Sequence, residues 1–502
     1  MKNVLFLVAL MLLPLPFYGQ KLVAKKDFSN WTLFSDSYDR PQYKPTGDGR
    51  FIAYYRTSLN DSGIMLLDSS LNVQKNISLK LTKNRVVQFS SKDYQDLLSY
   101  PLMLYRQDNN SVVLVGYVKN SRKGYSVIGL TYSLDREELI QVDTLRNTKG
   151  DNIITMSSKN DKYFLVGEKI QDYRDSKDAS RMTFDVFTPD CKRLYSAKVA
   201  YSEKGESNLF LTQNGELVHC YKDEVDRKEC YMFSKYSRAG LLEGSAHLLP
   251  LKEDEGELGF CHFIESPKNE LYCVCSKGEN KLKGVTVIGF DFSKGTCNRI
   301  VDKTYDKEAL VKMYEAADIS HSMVKASKMK PVKKLKYFRV NASLVDNDGF
   351  YVVLENFEVE SSTRSSFTTY YLSSSDLIVN GFDRSGAEKW ITPIKRKAKG
   401  VMGFGSYYAG GGTGVYAKAE LQGSSISLVV PSLDNVYVTW LNTKTGKDVV
   451  PVKLFAEDKT YTNTNSLLWL DPARLIATPM KGIFFVMSKK QVELHSLKLP
   501  CL

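Results

Sequence analysis

The sequence predicts an all-β fold: a β-propeller of seven or eight antiparallel blades, closed by the N-terminal strand and carrying one helical insertion. Three observations carry this expectation. Aromatic residues make up 12% of the chain, thirty Tyr and twenty-four Phe among them, and such rings fit pleated, half-buried surfaces. A two-strand pattern punctuated by polar turns recurs about eight times. The chain also ends on a bare hairpin while beginning with a strand-like segment able to pair with it.

Taken in order, the N-terminus "MKNVLFLVALMLLPLPFYGQ" has one Lys, an uncharged apolar run from Val4 to Phe17 and small Gly19 before Gln20. This is the pattern of a secretory signal peptide over residues 1–19, with the propeller domain over 20–502. The apolar run is shorter than the roughly 20 residues that span a bilayer and contains Pro14 and Pro16. The expected location is therefore outside the cytoplasm, in the periplasm or beyond the cell, with no transmembrane segment left after cleavage.

The repeat has a constant grammar in which a polar turn precedes an apolar strand, and a second turn and strand follow. "GDGRFIAYYRTSLNDSGIMLLDSSL" begins at Gly47 and "DNNSVVLVGYVKNSRKGYSVIGLTYSLD" at Asp108. Further copies begin at Lys159, Gln213, Pro267, Asp346, Gln422 and Lys481. Their spacing of about 50 to 80 residues leaves room for four antiparallel strands per unit plus insertions, the arrangement of a propeller. Two packed sandwiches or barrels are the competing arrangement. The last unit runs out at Leu497 with only its hairpin, and an open sheet edge there invites aggregation. The segment "DFSNWTLFSDS" from Asp27, with Trp31, is the expected covering strand.

One stretch departs from the β pattern. "TYDKEALVKMYEAAD" from Thr304 places Leu310, Met313, Tyr314 and Ala317 at helical spacing, with Glu308 four residues before Lys312. It predicts a helix, followed by a basic stretch without acidic residues, within an insertion over about 303–337.

The turn "FDRSGAEKW", with Asp383, Gly386 and Trp390, resembles the blade-end motif of quinoprotein-like propellers, in which an acidic turn and a Gly precede a Trp that docks between blades. "LNTKTGKDVV" from Leu441 is similar with Val in place of Trp, and "FDFSKGTCNRI" from Phe290 departs further. The resemblance implies blade geometry and carries over no quinone and no cofactor-binding residues. More broadly the chain looks like exported propeller-like proteins of Gram-negative bacteria, a likeness that implies no activity.

Catalytic signatures are missing: no H-E-x-x-H, no phosphate-cradling P-loop and no G-x-S-x-G occur. "GYSVIG" from Gly124 has Ile128 where the second Gly belongs and reads as strand. The five His (His219, His247, His262, His321 and His495) show no metal-pair spacing. "DNDG" from Asp346 lacks the distal ligands of a calcium loop and reads as a tight turn. The Gly-rich "GVMGFGSYYAGGGTGVYAK" from Gly400 reads as a blade connection; as a ligand loop it would offer Tyr407 and Tyr408 as stacking faces. No catalytic, cofactor-binding or metal residues are singled out, and no cofactor is expected.

Seven of the eight Cys lie between Cys191 and Cys297. Cys220 and Cys230 are symmetric about Val225, and Cys261 and Cys273 about Pro267, so regular hairpins would set each pair face to face as candidate disulfides. The net charge of +12 is concentrated in "KASKMKPVKKLKYFR" and "KRKAKG". Lys325, Lys328, Lys330, Lys333, Lys334, Lys336 and Arg339 form a candidate patch for an anionic partner. The expected function is a non-catalytic binding or assembly platform in the bacterial envelope, for an unknown protein or an anionic envelope polymer and without specific nucleic-acid recognition. The alternative is a hydrolase of carbohydrate or peptide, with carboxylates gathered on one face of the ring.

Overall fold

The computed structural model describes residues 21–27, 42–46, 48, 50–58, 61–68, 72–79, 101–120, 124–148, 153–170, 181–200, 207–225, 228–248, 258–278, 282–306, 308, 338–356, 358–364, 367–374, 376–396, 398–404, 417–431, 436–447, 452–453, 469–470, 481–487 and 492–498. Within them the chain is all-β. Strands form every regular element, and Glu308 alone takes helical backbone.

The strands fall into antiparallel sheets in chain order. The first sheet comprises Gln42–Pro45, Phe51–Ser58, Asp61–Leu67 and Val73–Ser78, and the second Leu102–Arg106, Ser111–Asn120, Gly124–Ser133 and Glu138–Thr148. The third comprises Ile153–Ser157, Phe164–Ile170, Arg181–Phe187 and Arg193–Ala200. The fourth (Ser207–Leu211, Leu217–Val225, Lys228–Tyr236, Leu242–Leu248) and fifth (Leu258–Glu265, Leu271–Lys277, Gly284–Asp291, Thr296–Thr304) join through a single parallel pair, His247 with Thr296, into one eight-stranded sheet.

The sixth sheet comprises Phe338–Val345, Gly349–Asn356, Leu377–Asp383 and Glu388–Ile394, and the seventh Lys418–Gln422, Ser425–Pro431, Val436–Asn442 and Val452–Lys453. A side sheet of Glu358–Arg364, Phe367–Ser374 and Ala398–Phe404 branches from the sixth. A terminal sheet of Trp469–Leu470, Lys481–Met487, Val492–Lys498 and the N-terminal strand Lys21–Asp27 unites the two ends of the described chain.

Two expectations are corrected here. The strand that covers Val492–Lys498 is Lys21–Asp27, pairing from Lys21 opposite Lys498 to Asp27 opposite Glu493. It uses the last strand's partners before the stretch after Asp27 is reached, and Trp31 lies outside the described residues. The helix expected from Thr304 does not begin there, because Thr304 pairs with Gly284 as the last residue of its strand. Tyr305 is buried, and its N–H donates to the Lys283 carbonyl at 2.7 Å. Residues 309–337 lie outside the described set.

The central strands are hydrophobic without a break because both of their faces are covered. In the second sheet Val112 and Leu114 pack against Ile52, Ile64 and Leu66 of the first. Their neighbours Val113 and Val115 face the other way, onto Phe164 and Val166 of the third. The third packs onto Leu211, Leu217 and Tyr236 of the fourth. The fourth packs onto Leu258, Cys273 and Ile288 of the fifth. In the sixth, Phe350, Val352 and Leu354 meet the fifth, while Tyr351 and Val353 meet Ile426, Leu428 and Val430 of the seventh. Each such side chain, shut away from water, contributes about 1.5–3 kcal/mol of apolar transfer.

The turns within sheets are short and chemically repetitive. After the first strand the closing N–H, on Thr46, Ser158, Thr212 and Ser266, donates to the carbonyls of Arg50, Tyr163, Glu216 and Glu270. A hydroxyl reinforces each turn: Thr46 Oγ1 donates to Arg50 O (3.0 Å), and Thr212 Oγ1 accepts from Glu216 N (3.0 Å). In "DNDG" Asp346 Oδ1 accepts from the N–H groups of Asp348 and Gly349, both at 2.8 Å, which makes it a tight turn.

The last turn of the sixth sheet uses Asp383, whose Oδ1 accepts from Ser385 N (2.8 Å) and Ala387 N (3.0 Å). Gly386 follows at φ +91°. A Cβ on Gly386 would lie 1.8 Å from the Ile300 carbonyl oxygen of the fifth sheet, so the neighbouring backbone admits only glycine. Trp390 then fills the gap to the seventh sheet, buried and donating Nε1–H to Thr443 O at 3.0 Å.

Candidate functional site

In the first to sixth sheets antiparallel order sends the short turns after the first and third strands to one end, and the chain passes from sheet to sheet at the other. The short turns bond to one another between sheets. Asn160 Nδ2 donates to Gln213 O (3.1 Å), Gln213 N–H to Glu265 Oε2 (2.9 Å), and Lys75 Nζ to Leu134 O (2.8 Å). Arg384 pairs with Glu270, its guanidinium 5.2 Å from the ring centroids of both Tyr272 and Phe350. One end of the stack is thus closed by turn-to-turn bonds. The opposite end carries the connections 305–337 and 395–417, and the side sheet also leaves the sixth sheet there. That end is the candidate functional face.

Charged groups are buried beneath it. Glu355, near the end of the second strand of the sixth sheet, forms an ion pair with Arg396, both fully inaccessible. Glu355 Oε1 also accepts the Ala417 N–H at 3.1 Å, so one carboxylate ties together both sides of the Gly-rich connection. Burial pushes Arg396 down to about 9, which leaves it protonated at neutral pH.

The fifth sheet repeats the device with the signs exchanged. Lys277, at the end of its second strand, pairs with Asp302 of its fourth, and Lys277 is 1% exposed. Between the second and third sheets Arg146 reaches Asp185 Oδ2 at 2.6 Å and lies 3.9 Å from Glu168. Ser196 Oγ donates to Asp185 Oδ1 at 2.5 Å.

The described carboxylates are largely spent on such pairs. Lys303 holds Glu388 (2.7 Å), Lys235 holds Glu216 (2.8 Å) and Glu243 (3.0 Å), and Lys44 of the first sheet holds Asp161 of the third (2.6 Å). Hydrogen bonding by Arg50 and Thr46 drives Asp48 far below the usual carboxylate range. Hydrogen bonds from Ser293 and Lys294 lower Asp291 to about 2. Arg106 lowers Asp108, and Ser385 and Ala387 lower Asp383. Among the described residues no three His, Cys, Asp or Glu converge on a point where a metal ion would sit. His219, fully buried in the second strand of the fourth sheet, stacks on Tyr221 at 4.8 Å, and burial lowers it to about 3.

Of the residues singled out from sequence, Lys325, Lys328, Lys330, Lys333, Lys334 and Lys336 lie outside the described set. Arg339 is exposed in the strand Phe338–Val345, opposite Glu355. "GYSVIG" lies within the strand Gly124–Ser133.

The cysteine pairings are corrected by the register. The hairpin turns between Val225 and Lys228, so Cys220 opposes Phe233 and Cys230 opposes Asp223. Three register positions, about 10 Å of strand, separate them, and an odd offset sends them to opposite faces. Cys261 opposes Cys275, and Cys273 opposes Phe263. Cys191 and Cys297 carry thiols pushed up to about 12 by burial, which makes them poor nucleophiles. The buried ion pairs were not anticipated. Their partners sit in different strands, and no local motif marks them.

No protein-family model matches the chain, and no curated protein does. Among solved structures the chain is similar to the polysaccharide lyase Uly1, at 10% identity and TM-score 0.35 over 79% of this chain and 89% of that one. It is similar to a prolyl endopeptidase at 10% identity and TM-score 0.36, over 90% and 55% of the respective chains. An oligogalacturonate lyase in complex with manganese matches at 9% identity and TM-score 0.34, over 96% and 98%. Superpositions this loose assign this chain no activity.

Proposed function

We propose that the chain is an eight-bladed β-propeller, closed by the pairing of its N-terminal and last strands, and that it acts as an exported, non-catalytic platform. The observation that carries this reading is the difference between the two ends of the stack: turns bonded to one another across sheets at one, and the longest connections, 305–337 among them, at the other. Three further features support the ring. The second to sixth sheets each pack on two neighbours, which paired sandwiches do not do. First strands lie side by side between the first and second, second and third, fifth and sixth, and sixth and seventh sheets. The Lys44–Asp161 pair joins the first sheet to the third past the second, as expected where inner strands converge on an axis.

On this reading the basic stretch around Lys325 to Arg339 leaves from the open face, since its connection runs from Thr304 to Phe338. Its partner is an anionic polymer or an acidic protein of the envelope, drawn in by long-range attraction. The platform is favoured over the hydrolase because the described carboxylates with shifted proton affinity all move down, whereas a general acid needs one raised. Among the described residues no helix is long and apolar enough to cross a membrane.

The test uses full-length protein and an acidic polysaccharide in co-sedimentation, alongside the triple variant Lys333→Gln, Lys334→Gln and Lys336→Gln. The platform reading expects salt-sensitive binding that falls several-fold in the variant, with no chain cleavage of the polymer. Equal binding by the two proteins removes the basic insertion from the reading, and turnover of polysaccharide or peptide would replace the platform with the hydrolase.

A further inference from the structure

We propose that His219 makes the seam between the third and fourth sheets acid-sensitive, so that a proton taken up by its ring parts these two sheets before any others. His219 alternates along its strand with Leu217 and stands opposite Leu209, and both of those pack on the third sheet. It is 0% exposed, the one buried His among the described residues, and within that set neither Nδ1 nor Nε2 has a hydrogen-bond partner. A neutral imidazole carries one N–H to donate and one lone pair to fill. The closed seam satisfies neither, while water would satisfy both. The ring's contact is the face of Tyr221, with centroids 4.8 Å apart and planes 18° from parallel.

Among the described residues no charge takes the place of water. On its own strand the ionisable groups of that face are Tyr221 and Asp223, the second four residues along with its Cα about 13 Å away. The adjacent strand Lys228–Tyr236 brings Cys230 and Tyr236 to the same face, with Lys228 at its far end opposite Val225. The outer strand brings His247, which is exposed, and the first strand Ser207–Leu211 brings none. From the third sheet come Lys169, in step with Leu165, and Tyr195, whose hydroxyl donates to Gly215 O at 2.8 Å near Glu216 and Arg238. Burial is the sole cause acting on the ring, and it lowers the imidazole to about 3 from an ordinary 6.5. Once the sheets part, water reaches the ring and restores the ordinary value, so the open form binds a proton that the closed form refuses. Opening is favoured as pH falls below about 6.5, and between about pH 7.5 and pH 5 its equilibrium constant rises about 30-fold. The inference is independent of the platform reading.

The experiment follows methionine oxidation by dilute hydrogen peroxide in the intact chain, read by mass spectrometry over a series of pH values. Met182 lines the His219 seam and Met103 the seam between the first and second sheets, and each is 1% exposed. The expected result is that the rate at Met182, taken relative to Met103, rises by about that 30-fold factor on acidification, with the rise setting in near pH 6.5. In His219→Leu the ratio should stay flat. An equal rise at both methionines, no rise at either, or a rise that persists in His219→Leu overturns the proposal. Should His219→Leu fail to fold, His219→Gln, which is polar but takes no proton, carries the same expectation, and the wild-type ratio by itself still overturns the proposal if it does not change.

Discussion

At the scale of single residues, the interior holds polar groups that make stability depend on pH and on particular atoms. His219 is the clearest case. Its folded value of about 3, against an ordinary 6.5, follows from burial without a compensating charge. Between these values the unfolded chain binds the proton that the folded chain refuses, so stability is lost as pH falls from about 6.5 toward 3, by up to about 1.4 kcal/mol per pH unit. Replacing His219 with Leu should flatten that slope by about one proton, read from urea unfolding at a series of pH values; an unchanged slope contradicts the assignment. Gly386 is a second case. Gly386→Ala should cost about 3 kcal/mol in urea denaturation, because a side chain at positive φ must also displace the Ile300 carbonyl.

At the scale of elements, each sheet is held by repeated turn chemistry and by a few buried charges near the open face. Glu355 and Arg396 supply the test, since removing one partner strands the other without water. Arg396→Met should destabilise by about 3–5 kcal/mol, and adding Glu355→Met should recover much of that loss, with the coupling read from a double-mutant cycle in urea. Additive costs would show that the two groups are not paired. The repeated strands were legible in the sequence because continuous apolar runs bounded by Gly, Asp and Asn turns are local signals. The turn in "FDRSGAEKW" was legible for the same reason, whereas the docking of Trp390 was implied only by the resemblance of that motif to known blade ends. Register was less legible: Cys220 and Cys230 looked symmetric about Val225, yet the turn lies between Val225 and Lys228. The N-terminal strand was anticipated as an element but placed too late, because "KLVAKKD" is short and its pairing is decided by a partner more than 450 residues away.

At the scale of the whole molecule, the described strands include six separate four-stranded sheets and two more joined edge to edge, and the first to seventh pack face to face in chain order. In the proposed ring each unit uses both faces to exclude water, and the chain ends meet in one sheet so that the array needs no exposed lateral face. Function was barely legible, because the open face is made of connections whose chemistry depends on spatial neighbours rather than on motifs. In the sequence only the density of Lys between Lys325 and Lys336 suggested a partner site, and those residues lie outside the described set. The central claim, that the stack closes around an axis, is tested most directly by single-particle electron microscopy of the intact chain. Class averages viewed down the axis should show eight radial spokes around a central opening, while two side-by-side slabs or an open arc of sheets would contradict the account.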